Sequence, residues 1–410
     1  MDIIAKTFAG LEQVLARELT ELGADDIQIG NRMVTFTGDK EMLYRANFAL
    51  RTAVRVLMPI KTFRASDPDV VYDVVRRMDW SQWMTPQMTF VVDTVVNSDD
   101  FSHSKFVAYR VKDAVADYWR EHADGERPNV SLTNPDLRLH MHISGQQCAL
   151  CLDASGESLH RRGYRKETVD APLNEVLAAG IIMLSGWKAD CDFIDPMCGS
   201  GTLPIEAALI ARNIAPGVFR REFGFQRWLD YDADLFDRIY DDDSRERPFD
   251  HHIYGYDINR DAVRKATANV QAAGMTQIVS IAQQDFADFQ RPEQPSIIMM
   301  NPPYGERISS AQGLLEFYAM IGSVLKRAYQ EGEAWVLSYR QECFEAIGLR
   351  PSQKLPLYNG ALECRLQKYV MFGGKYNEMR ERGEHIRNDE DRDRMSHVRG
   401  LGRKDGSYHK

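Results

Sequence analysis

No stretch of this 410-residue chain reaches the ~18 consecutive apolar residues of a membrane-spanning helix. Its N-terminal stretch also lacks the charged start, apolar centre and small-residue cleavage site of a secretory leader. A cytoplasmic protein is therefore expected, with no membrane partner. Cysteine is sparse: six residues, scattered, fit reduced thiols better than a disulfide framework. Cys148 and Cys151 form a CxxC pair, but in an alternating strand such a pair points to opposite faces, so no metal is expected. His140 and His142 read as the polar side of a strand whose other side is Leu137, Leu139, Met141 and Ile143. Positive charge is short as well. The net charge of −9 means that a nucleic-acid partner must be held by local basic clusters. One such cluster is His160-Arg161-Arg162-Gly163-Tyr164-Arg165-Lys166, either a solvated linker or a contact surface. The run 232–243 is acidic and inflates the negative total. Neither internal repeats nor low-complexity tracts interrupt the first 165 residues, and the length predicts two or three domains.

What is present is a set of motifs placed at strand ends. Ser296-Ile297-Ile298-Met299-Met300 predicts a buried strand, and Asn301-Pro302-Pro303-Tyr304 follows it directly. Two prolines force an extended exit, so Asn301 sits at a carboxyl strand end, where open α/β sheets bind ligands. Alone, the tetrapeptide would more simply be a turn with an aromatic plug. Upstream, Asp192-Phe193-Ile194-Asp195 precedes Pro196-Met197-Cys198-Gly199-Ser200-Gly201-Thr202 and an apolar helix through Ile210. That pattern is strand, glycine turn, helix, with Ser200 or Thr202 available as a cap and Pro204 tolerated in the first turn. A dinucleotide fingerprint would want glycine at 204, so the NAD reading weakens. Asp257, closing the strand 252–256, can accept both hydroxyls of a ribose; Asp285 can accept an adenine amino group while Phe286 covers the ring.

The first 165 residues predict a different architecture. A strand (2–8), a helix (10–22), a hairpin (27–36) and a helix (40–50) form a small α+β unit. A strand (55–63), a helix (69–78), a strand (88–96), a helix (104–122) and a hairpin (137–153) follow. The tail after 375 mixes Arg, Glu and Asp with almost no apolar residues, and disorder is expected there.

Together these motifs resemble the class I methyltransferases that use S-adenosylmethionine. DPMCGSGT (195–202) looks like motif I, GYDIN (255–259) like motif II, QQDF (283–286) like motif III, NPPY (301–304) like the motif IV of amino-methylating members, and Ala171-Pro172-Leu173-Asn174-Glu175 like motif X. The whole chain to about 375 resembles THUMP-domain RNA methyltransferases of the bacterial 23S rRNA guanine-N2 type. The resemblance implies a Rossmann-like α/β methyltransferase domain (171–375) behind ferredoxin-like (1–55) and THUMP (56–156) domains, a basic linker (157–170) and a tail (376–410). It implies cofactor contacts from Asp195, Pro196, Cys198, Gly199, Ser200, Gly201, Thr202, Asp257, Ile258, Asp285, Phe286 and Asn301. Catalysis would fall to Asn301, Pro302, Pro303 and Tyr304, and RNA contacts to Lys105, Lys112, Arg161, Arg162, Tyr164 and Arg165.

The chemistry of motif IV is physical. An exocyclic amine is a poor nucleophile because its lone pair is delocalised into the ring. If the Asn301 side-chain oxygen and the Pro302 carbonyl accept its hydrogens, the nitrogen can pyramidalise toward the sulfonium methyl, while Tyr304 stacks on the base. Carbon methylation of a pyrimidine would need a nucleophilic Cys near this position, and Cys343 and Cys364 are the nearest downstream. Guanine-N2 methylation of ribosomal RNA is the leading expectation, the alternatives being transfer RNA, DNA adenine, a protein glutamine, or an RNA-binding protein without activity. A sequence-specific DNA enzyme would usually need a target-recognition domain, and none is evident.

Overall fold

The computed structural model describes residues 1–101, 103–305, 310–359 and 362–371; the expected tail, 376–410, lies outside them. The amino-terminal half runs β1 (Asp2–Lys6), α1 (Glu12–Leu22), β2 (Asp25–Gly30), β3 (Met33–Thr37), α2 (Lys40–Ala49), β4 (Arg55–Arg64), α3 (Pro68–Arg76), β5 (Thr89–Asn97), α4 (Ser104–His122), β6 (Asn129–Val130), β7 (Leu137–Ser144) and β8 (Gln147–Asp153). Alternation sets the strand faces: Ile3 and Ala5 of β1, and Leu137, Leu139, Met141 and Ile143 of β7, point into one core. Capping sets the helix starts. Asp39 accepts from the Met42 N–H at 2.8 Å, and Asp67 caps α3 ahead of Pro68.

These strands form one sheet in the order β2-β3-β1-β4-β8-β7-β5-β6. The first residues of β4 pair with β1 and most of its length pairs with β8. The expected units 1–55 and 56–156 therefore share a continuous sheet, and their boundary falls at the start of the strand common to both.

The second half runs α5 (Glu175–Ser185), β9 (Asp192–Asp195), α6 (Thr202–Ala211), α7 (Ala233–Tyr240), β10 (Ile253–Asp257), α8 (Arg260–Ala272), β11 (Val279–Gln283), β12 (Ser296–Met300), α9 (Ala311–Ala328), β13 (Glu333–Ser338), α10 (Gln341–Ile347), β14 (Gln353–Asn359) and β15 (Leu362–Val370). The sheet order is β11-β10-β9-β12-β13-β15-β14, with β15 antiparallel to both neighbours. Phe193, Ile194, Ile298, Met299 and Met300 are buried because helices cover both faces of the parallel strands. The chain order reverses across β9, which opens a crevice at the carboxyl ends of β9, β10 and β12.

The two halves share cores. Leu11 and Val14 pack with α5 and α6, and a Cβ on Gly180 would lie 2.5 Å from Leu11 Cδ1. In return, Phe223, Phe225, Trp228, Phe236 and Ile239 join the amino-terminal core, where Phe225 stacks on Tyr44 at 4.1 Å. The acidic run 232–243 thus contains an amphipathic helix, α7, capped by Asp232 with Phe236 and Ile239 buried. Segment 157–170 is not a free linker either. Arg220 donates to the carbonyls of Ser155, Glu157, Ser158 and Arg161 and straps it down.

Candidate active site

The glycine turn depends on backbone conformations that favour glycine: Gly199 has φ 54° and Gly201 φ 84°. Gly201, not Ser200 or Thr202, is the N-cap of α6, and no side chain caps that helix. The two hydroxyls instead accept from Arg165, whose Nη1 lies 2.9 Å from Ser200 Oγ and whose Nη2 lies 2.9 Å from Thr202 Oγ1. The same guanidinium donates to Glu175 at 2.9 Å and to the Leu173 carbonyl at 3.0 Å. Asn174 caps α5 by accepting from Val176 and Leu177. One side chain thereby ties the segment before α5 to the glycine turn.

A cavity of about 630 Å³ opens above these strand ends. From the expected set it is lined by Asp195, Pro196, Cys198, Gly199, Ser200, Thr202, Asp257, Ile258, Asp285, Phe286 and Asn301 to Tyr304. Gly201 is not among the lining residues; its place is against α8, where an added Cβ would lie 3.3 Å from that of Ala266. Sequence reasoning missed Leu173, Asn259, Gln284, Phe317 and Leu362 as wall residues. Phe317 and Leu362 lie far from the motifs in sequence and give no local signal; Leu173 and Asn259 lie inside quoted motifs.

Each carboxylate has a distinct setting. Asp257 accepts from the Gly199 N–H at 2.9 Å through one oxygen and from the Asn259 N–H at 2.8 Å through the other, leaving each oxygen a second acceptor position. Asp195 is buried and accepts from the Met197 N–H at 3.1 Å. Burial holds its carboxyl well above the ordinary range; the Met197 bond opposes this and the neighbouring Asp257 adds to it. Burial also raises the Cys198 thiol well above its usual value, reinforced by Asp195 and Asp257, so it stays protonated rather than nucleophilic. Asp285 is exposed and caps a short turn by accepting from the Ala287 N–H. Phe286 touches the cavity but is 5 % exposed and packs chiefly with Phe289 and Ile194, whereas Ile258, at 63 %, offers the open apolar surface.

The Asn301–Tyr304 turn is braced from behind. The Tyr304 hydroxyl donates to Asn301 Oδ1, and its ring meets Tyr339 edge-on at 5.0 Å. Tyr318 donates to the Pro303 carbonyl at 3.4 Å, and Arg340 to that of Tyr304 at 3.4 Å. Because the phenol donates to the amide oxygen, the orientation of the Asn301 amide is defined and its oxygen keeps a second lone pair.

The expected RNA contacts divide. Arg161 is exposed and paired with Glu157, and Lys105 and Lys112 lie on α4. Arg162, Tyr164 and Arg165 turn inward, and their assignment to the RNA surface is corrected. Arg162 is 2 % exposed and meets Glu206 and the carbonyls of Leu159 and Arg51. Tyr164 is buried and donates to Glu206 at 2.8 Å. A charge run can serve as an internal clamp where buried carboxylates and carbonyls receive its donors.

Residues 162–368 match the RMKL-like methyltransferase domain, 2–57 the RlmL ferredoxin-like domain, and 65–153 the THUMP domain. The chain belongs to the RMKL-like methyltransferase family. A Synechocystis relative named among RNA methyltransferases is 37 % identical over 369 residues, covering 88 % of this chain and 95 % of the relative. The ribosomal RNA large subunit methyltransferase K/L of Methylococcus capsulatus is 40 % identical over 378 residues, covering 89 % of this chain and 50 % of that protein. The chain thus spans about half the length of the K/L relatives it matches. The crystal structure of SMU.472, assigned as a methyltransferase and complexed with SAH, superposes with a TM-score of 0.81 at 29 % identity, covering 91 % of this chain and 99 % of the other. As a member of this S-adenosylmethionine-dependent family, the methyltransferase takes that cofactor. Its cavity fits it: a glycine turn with close backbone approach, the Asp257 carboxylate for hydroxyls, and exposed Ile258 beside it. Among the described residues no group of three or more His, Cys, Asp or Glu could hold a metal, and no helix is long and apolar enough to cross a membrane.

Proposed function

We propose that the chain methylates the exocyclic N2 amine of a guanine in RNA, with 23S ribosomal RNA as the substrate. The carrying observation is the Asn301 amide oxygen in the wall of the cofactor cavity, oriented by Tyr304. The names of the K/L relatives and the THUMP match support RNA. The cofactor supplies an electrophilic methyl group on its sulfonium. Asn301 Oδ1 and the Pro302 carbonyl would accept the two amino hydrogens and hold the nitrogen toward that methyl, so that as the N–C bond forms the S–C bond breaks with its electron pair on sulfur, S-adenosylhomocysteine leaves, and one amino proton passes to solvent. The Tyr304 ring covers one face of the base. Asp257 would take the ribose hydroxyls of the cofactor, and Asp285 its adenine amine, since both carboxylates line the cavity. A base must leave its stack to enter such a pocket.

Tritiated methyl from labelled cofactor should enter ribosomal RNA when that RNA, duplex DNA and unmethylated protein compete in one reaction. Label in DNA adenine or protein glutamine would move the reading to another amino substrate that shares the same turn chemistry.

A further inference from the structure

Asn269 stands on α8 where packing alone would ask for an apolar residue. Its neighbours on the inner face, Ala262, Ala266 and Val270, are apolar, and Asn269 itself is wholly buried. An amide is costly to bury unless each of its groups finds a partner, and here all four do. Nδ2 donates to the Ser200 carbonyl at 2.9 Å and the Glu167 carbonyl at 2.8 Å; Oδ1 accepts from the Lys166 N–H at 2.8 Å and the Glu167 N–H at 3.1 Å. The partners lie in two walls of the cofactor cavity. Ser200 belongs to the glycine turn, and residues 166 and 167 lead directly into Val169, Asp170, Ala171 and Pro172, which line the same space. The walls also meet: Val169 Cγ2 lies 3.6 Å from where a Cβ on Gly199 would stand. Ala266, one turn back from Asn269, abuts Gly201, and Arg264 holds Glu167 at 2.7 Å. Because no side chain caps α6, the turn before it takes its support from outside, from Arg165 and from this face of α8.

We infer that Asn269 is a positioning residue for the cofactor: it sets the spacing between the glycine turn and the 166–172 segment, and that spacing receives the amino-acid end of S-adenosylmethionine. With Asp257 taking the ribose and Asp285 the adenine, the amino-acid end is the part left to these two walls. The inference rests on those two roles and not on the RNA. An acceptor alone could hold residues 166 and 167, and a donor alone could hold the turn; a side chain with both is needed to join them. Aspartate would keep the two accepted bonds and face the Ser200 and Glu167 carbonyls with a carboxylate.

Titration calorimetry on the full chain compares S-adenosylhomocysteine with methylthioadenosine, which lacks the amino-acid end. Asn269→Asp, checked for a cooperative melt, should bind S-adenosylhomocysteine roughly 10- to 100-fold more weakly, for two lost bonds, and methylthioadenosine as wild type does. A purely structural role would loosen both ligands alike or neither. Arg264→Glu, an exposed change that sets like charge against Glu167, leaves the core intact and should repeat the pattern at roughly 2- to 5-fold. Unchanged S-adenosylhomocysteine affinity in Asn269→Asp, or equal losses of both ligands, would overturn the inference. If that variant does not fold, the lack of a selective loss in Arg264→Glu would overturn it instead. Asp257→Ala separates the two readings, since it should weaken both ligands; if it weakens neither, the ribose assignment falls, whereas a selective loss in Asn269→Asp would still stand.

Discussion

Arg165 Nη1 lies 2.9 Å from Ser200 Oγ, so a residue 35 positions upstream of the glycine turn sets the shape of the cofactor cavity. Its other donors reach Thr202, Glu175 and the Leu173 carbonyl, which makes the basic junction part of the cavity wall.

Replacing that planar fork with the point charge of lysine should break several of these bonds while preserving charge. Bonds to charged groups contribute about 1.5–3 kcal/mol each, so Arg165→Lys should weaken cofactor affinity by roughly 10- to 100-fold in titration calorimetry. RNA affinity should hardly move. The opposite pattern, with cofactor binding intact and RNA binding lost, would return Arg165 to the RNA surface.

Arg162 and Glu206 form a buried pair, 2 % and 0 % exposed. Removing one partner strands the other charge, at a cost of about 3–5 kcal/mol. Arg162→Ala should lower the denaturation midpoint markedly, and adding Glu206→Gln should recover part of the loss. An additive double variant would mean that the two do not communicate.

The raised carboxyl of Asp195 gives a pH dependence with a definite sign. Its folded state holds a proton more tightly than the unfolded chain, so its contribution is fully present below the ordinary value of 3.8 and is lost as pH rises from there through the raised folded value. Glu18, Asp153 and Glu206, also raised by burial, act in the same direction. Asp195→Asn should therefore gain stability relative to wild type on going from about pH 5 to about pH 8. A difference that stays constant in denaturant melts at both values would rule this titration out.

Cutting the chain at residue 165 should not give two well-behaved domains. Leu11 and Val14 complete the core around α5, and Phe225 and Phe236 complete the amino-terminal one. Separately expressed halves should aggregate or bind hydrophobic dye, while co-expressed halves should associate. Two monomeric halves with cooperative melts would contradict the shared cores.

Local features were legible in the sequence. Helix α4 begins and ends where the pattern placed it, and the hairpin β7–β8 falls within the expected 137–153, turning at Gly145-Gln146, because alternation and turn residues act over a few positions. The four strand-end motifs converge on one cavity because parallel strands align their carboxyl ends. What depended on distant partners was not legible. The strand β4 looks the same whether one sheet or two use it. The arginines of the junction look solvent-bound until Glu206 and Glu175, which lie on helices, are brought beneath them. The helix α7 hid in an acidic run because its buried Phe236 and Ile239 need a neighbouring core to reveal their spacing.

The central claim is that Asn301 activates a guanine amine. Incubating wild type and Asn301→Ala with labelled cofactor and 23S ribosomal RNA, then resolving the digested nucleosides by mass spectrometry, tests it most directly. Wild type should yield N2-methylguanosine, and the variant should transfer methyl ~10²-fold or more slowly with nearly unchanged cofactor affinity. An unchanged single-turnover rate in the variant, or label in any nucleoside other than N2-methylguanosine, would contradict the account.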